Sequence, residues 1–311
     1  MQFWAIVVAS FRESLDRKIF WVLIAITAIV ILAMVSVGFE GNQVSFIFGI
    51  WKTDSGAFNP LADQGPTRLA AIVVYLLFGN LLGWVGVILM LIATAGVFPS
   101  MIDGGVIGVL LSKPISRSRL FFYKYLASMV FVAVQGIFFV GGTFLAMGLR
   151  WGVWCPGYLL AIPGLVLLFS YVYCVTAVVG VQTRSTVAAV LVSITAWAVF
   201  ALVHQAPQFF EMVESLKKQT TLYNTVRVVS WIPPKTGDIE YLVARWGGVG
   251  PSADMFPQSK LSDQDVADMA KARTIEEQEL EKSPLASIGS SLLFEAAVIL
   301  FGMWRFSRRD F

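Results

Sequence analysis

Charge is what this chain has least of. Asp, Glu, Lys and Arg make up only 14% of its 311 residues, against about a quarter in soluble domains. Histidine occurs once, at His204, and cysteine twice, at Cys155 and Cys174. So few ligands leave no metal-binding spacing and no disulfide framework. Cys155 falls in a short loop and Cys174 inside an apolar run, so no bridge between them is expected. His204 directly follows an apolar run and reads as an interfacial histidine. Three motifs are also missing: G-x-x-x-x-G-K-[ST], H-E-x-x-H and G-x-S-x-G. The chain therefore lacks a phosphate cradle, a zinc-protease helix and a nucleophile elbow. It is expected not to be an enzyme and to carry no cofactor of its own.

Hydrophobic residues supply 57% of the chain, and its mean hydropathy is +0.74. Several apolar runs exceed the roughly 18 residues needed to cross a hydrocarbon core of about 30 Å. Short alternating segments, the mark of a transmembrane barrel, are absent. The expected fold class is all-α, a polytopic membrane protein with six transmembrane helices. The spans are placed at about Ile19–Val37, Leu69–Phe98, Tyr125–Met147, Tyr158–Val181, Val187–Val203 and Leu285–Trp304. Before the first, Trp4, Val8, Phe11 and Leu15 recur at helical spacing, with Arg12, Glu13 and Asp16 largely opposite. That pattern predicts an amphipathic interfacial helix rather than a cleavable signal peptide.

Residues 40–67 read as a polar loop, and the five residues Gln182–Thr186 as a hairpin link between the fourth and fifth spans. Composition shifts at 204. Residues 204–284 are polar and read as a mostly helical insertion, with helices over 206–220, 236–246 and 262–282 and an interfacial turn at Trp231-Ile232-Pro233-Pro234. The chain thus divides into 1–203 with five spans, 204–284 as the insertion, and 285–311 with the sixth span and a basic tail.

Polar residues inside the spans are few. Gly79, Gly83 and Gly86 fall on neighbouring turns of the second span, where small residues let helices approach closely. Asn80 and Gln135 read as helix–helix hydrogen-bonding residues. Glu295 is essentially the one ionisable residue inside a span. By default such a residue marks a gate or polar path. The competing expectation puts it near the outer interface, or paired with Asn80 or Gln135.

Cations in short loops orient the chain. Arg12, Arg17, Lys18, Lys113, Arg117, Arg119, Lys124, Arg184, Arg305, Arg308 and Arg309 fall on one side; Lys52, Arg68 and Arg150 fall on the other. Both termini are then cytosolic, and the insertion 204–284 lies outside.

One cytosolic stretch is too polar at its ends for lipid and too apolar in its middle for a surface loop. It runs from Asp103 through Gly105, Leu110, Leu111, Pro114 and Ser116 to Arg117 and Lys124. A short helix over about 101–112 that docks on another protein accounts for both properties. This acidic residue, glycine-led helix, leucine pair, proline–serine–arginine turn and following lysine resembles the permease subunit of a type-2 ABC export transporter. The charged N-terminal helix and the ending Phe306-Ser307-Arg308-Arg309-Asp310-Phe311 are also similar to that family, with a flavour of its multi-copper-enzyme maturation branch. Val106 and Asp103 depart from the family, which often has threonine and glutamate there.

The resemblance implies a bacterial-type cytoplasmic membrane and a second permease copy, identical or a close paralogue. It also implies a separate ABC ATPase subunit, carrying ATP and Mg, that couples through Asp103, Gly105, Leu110, Leu111, Pro114 and Arg117. In the family the transport path lies at the interface between the two permease copies, lined by spans two and five. Here that points at Gly79, Asn80, Gly83, Thr195 and Trp197, with Glu295 a further candidate. The alternative is a non-transporting membrane scaffold or assembly factor acting through an outer partner at 204–284. Nucleic acid is not an expected partner. Few fixed charges suit an apolar cargo, and scattered Met, Cys and His disfavour a metal one.

Overall fold

The computed structural model describes Val8 and residues 18–40, 43–54, 75–102, 116–212, 220–246 and 283–308. The fold is all-α, and six of its helices are long and apolar enough to cross a membrane. They are span 1 (Lys18–Ser36), span 2 (Leu76–Ile102), span 3 (Arg117–Trp151), span 4 (Pro156–Thr183), span 5 (Thr186–Pro207) and span 6 (Pro284–Ser307). The interfacial N-terminal helix falls outside the described residues except for Val8, which is helical and exposed. The expected helix at 262–282 lies outside them as well.

Span 4 is the centre of the bundle. Its most apolar window is 78% buried, against 17–22% for spans 1, 5 and 6. Those three therefore turn wide apolar faces outward, which only a lipid solvent accepts without cost. Span 4 packs chiefly on spans 3, 5 and 6, and span 1 lies on span 3. Gly136 of span 3 meets Leu165 and Ile162 of span 4, and Gly302 of span 6 fits between Phe121 and Val178.

Several helices outrun the apolar runs that announced them, because hydropathy marks the lipid-facing part of a helix and not its ends. Span 3 is helical for 35 residues, from Arg117 to Trp151. At 1.5 Å per residue that is about 50 Å, well beyond the bilayer core. Span 5 continues as helix through Pro207 to Met212, so the helix expected over 206–220 is, to that point, the end of span 5. Spans 4 and 5 do form a tight hairpin, joined by Arg184 in the left-handed region (φ 55°) and Ser185.

The described part of the expected polar loop 40–67, up to Asp54, holds a small sheet, and residues 55–67 lie outside the described residues. β1 (Gly38–Glu40), β2 (Gln43–Phe46) and β3 (Trp51–Asp54) form an antiparallel sheet in the order β1-β2-β3. Gly38 pairs with Ser45, and Phe46 with Trp51. Strands of three and four residues among Gly, Asn and Asp leave too little alternation to read in advance. The sheet is anchored where Trp151 Nε1 donates to the Val37 carbonyl at 2.9 Å and the Arg150 guanidinium lies against Gly38.

Beyond span 5, helix Thr220–Val229 leads through a turn at Trp231–Pro234 into a second short helix, Thr236–Trp246, termed the cap helix. The sheet and the cap helix share one end of the bundle, the cap end. Arg117, Arg119, Arg184, Arg305 and Arg308 lie towards the other.

Candidate functional site: the cavity beneath the cap helix

The cap helix is amphipathic. Ile239, Leu242 and Val243, spaced i, i+3, i+4, are buried, and Arg245 is exposed. Asp238 sits in the first turn, where the positive end of the helix dipole favours a carboxylate. The apolar face docks on span 4 at Gly164. A Cβ there would stand 2.7 Å from Val243 Cγ2 and 3.5 Å from both Ile239 Cγ2 and Phe78 Cζ. Glycine at 164 is what lets the cap helix come so close.

This docking leaves a half-open cavity of about 240 Å³ between spans 2, 4 and 5 and the cap helix. Span 2 contributes Gly79, Gly83 and Trp84 from a π-helical stretch, Tyr75–Gly86. π-turns are wider than α-turns and are common at functional sites. Gly83 is required by that geometry, since a Cβ on it would lie 2.8 Å from the Phe78 carbonyl oxygen, a backbone atom that cannot step aside. From span 5 comes Trp197, stacked on Trp84 with ring centroids 4.8 Å apart and planes 20° from parallel. Such a pair contributes about 1 kcal/mol beyond its buried area.

Polar groups gather at one wall, where His204 and Gln205 of span 5 meet Thr236 and Tyr241 of the cap helix. His204 Nε2 lies 2.8 Å from Asp238 Oδ1. The other carboxylate oxygen accepts a hydrogen bond from Ser287 Oγ of span 6 at 2.5 Å. One buried carboxylate thus ties span 5, the cap helix and span 6 together. The carboxylate stands between serine and histidine, so the imidazole cannot serve as base to that hydroxyl, and the trio is not a nucleophilic triad. Among the described residues no three His, Cys, Asp or Glu side chains converge as a metal site. The chemistry on offer is binding: a flat aromatic pair and a few fixed hydrogen-bonding groups line one cavity.

No protein-family model matches this chain, and no curated protein matches it either.

Of the residues picked from sequence, Gly79, Gly83 and Trp197 come together on the cavity. Thr195 does not: it is exposed, and its hydroxyl donates back to the Leu191 carbonyl at 2.9 Å. Asn80 is exposed beside the cavity without lining it. Arg117 opens span 3, half-buried; Asp103, Gly105, Leu110, Leu111 and Pro114 lie outside the described residues. His204, expected as an interfacial residue, lines the cavity. Its helical spacing from Trp197 and Ala201 was the signal, since the three share one face of span 5.

Glu295 lies apart from the cavity and only 8% exposed, between spans 3 and 4. Tyr125 donates to Oε1 at 2.8 Å and Ser170 to Oε2 at 2.9 Å. The expected pairing with Asn80 or Gln135 is therefore replaced by one with Tyr125 and Ser170. Gln135 instead donates to Thr27 Oγ1 of span 1 at 3.2 Å. Sequence separations of 170 and 125 residues between Glu295 and its partners put this network beyond any local reading.

At the cap end, Cys155 sits between spans 3 and 4, partly buried, and burial pushes its thiol pKa above the ordinary value. Neither Cys155 nor Cys174 is in a disulfide.

Proposed function

We propose that the chain is the permease subunit of an ATP-driven ABC exporter in a bacterial-type cytoplasmic membrane. It pairs with a second permease copy and is driven by a separate ATPase subunit that holds ATP and Mg. The cap end faces outward and both termini are cytosolic. The resemblance around 103–124 places ATPase coupling there. The observation that carries the reading beyond the resemblance is the cavity. Spans 2 and 5, which the resemblance makes the lining of a path at the dimer interface, also meet within one chain at a half-open chamber lined by Gly79, Gly83 and Trp197 and partly covered by the cap helix. In this reading the chamber is the outer end of the path and the cap helix is its cover. The spans rock when the ATPases close, and cargo leaves when the His204–Asp238–Ser287 tie lets the cover move.

The test is a mild-detergent pull-down of the tagged chain from its native membrane, followed by an ATP-hydrolysis assay. The expected result is a co-purifying ATPase that is lost when Leu110→Asp and Leu111→Asp are combined. A preparation that brings down an outer-side protein and no ATPase would replace this reading with the scaffold one.

A further inference from the structure

Span 6 carries a line of buried polar residues at Ser287, Ser291 and Glu295, with exposures of 4%, 1% and 8%. Their i, i+4, i+8 spacing keeps them on one helix face. That face looks at span 4, at span 3 and, towards the cap end, at the turn before the cap helix. Hydrogen bonds tie the outer part of the line to the cap end and to the backbone, with no direct bond from one hydroxyl of the line to the next. Ser287 Oγ donates to Asp238, the partner of His204 on the cavity wall. Ser291 Oγ donates to the Ser287 carbonyl at 2.9 Å and accepts from the Lys235 backbone N–H, also at 2.9 Å. Next comes Tyr171 of span 4, wholly buried, its hydroxyl beside Ser291 and within reach of the charge on Glu295. That hydroxyl completes no hydrogen bond of good geometry with protein. An unsatisfied buried hydroxyl costs about 1–3 kcal/mol, and ordered water is the usual remedy.

The carboxyl at the inner end is not needed to satisfy its donors. The Tyr125 hydroxyl also lies 3.0 Å from the Ser170 carbonyl, and the Ser170 hydroxyl 2.9 Å from the Leu167 carbonyl. Each has a backbone acceptor to turn to. A carboxyl is expensive in a bundle interior, and here stability does not require one.

We propose that Glu295 is a proton-binding site reached from the cavity at the cap end, along a hydrated seam made by Ser287, Ser291 and the Tyr171 hydroxyl. Water bridging the hydroxyls carries the proton: each water and hydroxyl accepts one proton and passes on another, and the carboxylate takes up the last; no other bond is made or broken. The titratable groups facing Glu295 are Tyr125 from span 3 and Tyr171 and Cys174 from span 4, with Asp238 beyond Tyr171. None of these is a cation that would pin Glu295 in its ionised form.

The experiment is infrared spectroscopy of the full chain in lipid nanodiscs, titrated with acid in light and heavy water. The expected result is a protonated-carboxyl band that grows as pH falls, exchanges its proton for deuterium, and is lost in Glu295→Gln. Ser291→Ala and Tyr171→Phe leave the carboxyl in place, and each should slow its exchange by about tenfold, the scale of one lost hydrogen-bonded step. A titration unchanged in Glu295→Gln, or exchange at the wild-type rate in both seam variants, overturns the proposal. Neither ATPase nor cargo is needed, so failure here leaves the exporter reading standing.

Discussion

His204 Nε2 and Asp238 Oδ1 are 2.8 Å apart across the boundary between span 5 and the cap helix. The side chains are 13% and 6% exposed, so the pair is largely withdrawn from water and its geometry counts for more than that of a surface ion pair. Through Asp238 Oδ2 the same contact reaches Ser287 on span 6. The chain's single histidine therefore helps to latch the cap helix over the cavity.

Replacing His204 with Ala removes the imidazole partner of Asp238 and should cost about 2 kcal/mol. Thermal unfolding in mild detergent measures this. The double variant His204→Ala with Asp238→Ala separates the pair from its surroundings. A coupling of at least about 0.5 kcal/mol is expected, and strict additivity would show that the contact does not hold the cap helix.

Gly83→Ala tests the π-helical turn. The added Cβ would meet the Phe78 carbonyl at 2.8 Å, so the turn must re-form with different spacing. Span 2 then rotates relative to Trp197 and the Trp84–Trp197 stack breaks. Near-ultraviolet circular dichroism should lose the signal of the coupled indoles. An unchanged spectrum would mean that the stack does not depend on the π-turn.

Cys155 and Cys174 provide a pH-dependent test of topology. Thiolate is the reactive form. The raised pKa of Cys155 means less thiolate at any pH below it, so maleimide should label this site more slowly than a free cysteine at pH 7 and gain rate as pH rises. Cys174 is wholly buried and should stay unlabelled until the protein unfolds. With an impermeant maleimide on sealed right-side-out vesicles, Cys155 labels only if the cap end faces outward. Labelling confined to inverted vesicles would reverse the assigned orientation.

The six spans were legible because the membrane imposes a length and an apolar composition that nothing else in a sequence mimics. The turn at Trp231–Pro234 and the helix at 236–246 also stood out within the polar insertion. Helix ends were not legible: Arg117 and Arg119 look like loop cations until the helix beneath them is seen. Gly79, Gly83 and Trp197 were reachable only through the resemblance, which points to spans two and five. The partners of His204 and Glu295 were not. Asp238, Ser287, Tyr125 and Ser170 are ordinary polar residues in sequence, and only the crossing of spans 3, 4 and 6 with the cap helix brings them together.

Gly164 decides how closely the cap helix sits. In Gly164→Ala the new methyl group would press on Val243 Cγ2 at 2.7 Å, and that short side chain has little room to yield because Val243 is fully buried. Overpacking of this kind costs about 1–3 kcal/mol. The strain should appear locally, as faster amide hydrogen exchange over Thr236–Trp246 with spans 3 and 4 unaffected. Adding Val243→Ala deletes the methyl groups in the way, so the double variant should recover protection that the single variant loses. Rescue is the informative outcome, because a general loss of stability at Gly164 would worsen with a second truncation in the core. Equal or greater exchange in the double variant would mean that the cap helix is held by the His204–Asp238–Ser287 tie alone and that its packing on span 4 is incidental.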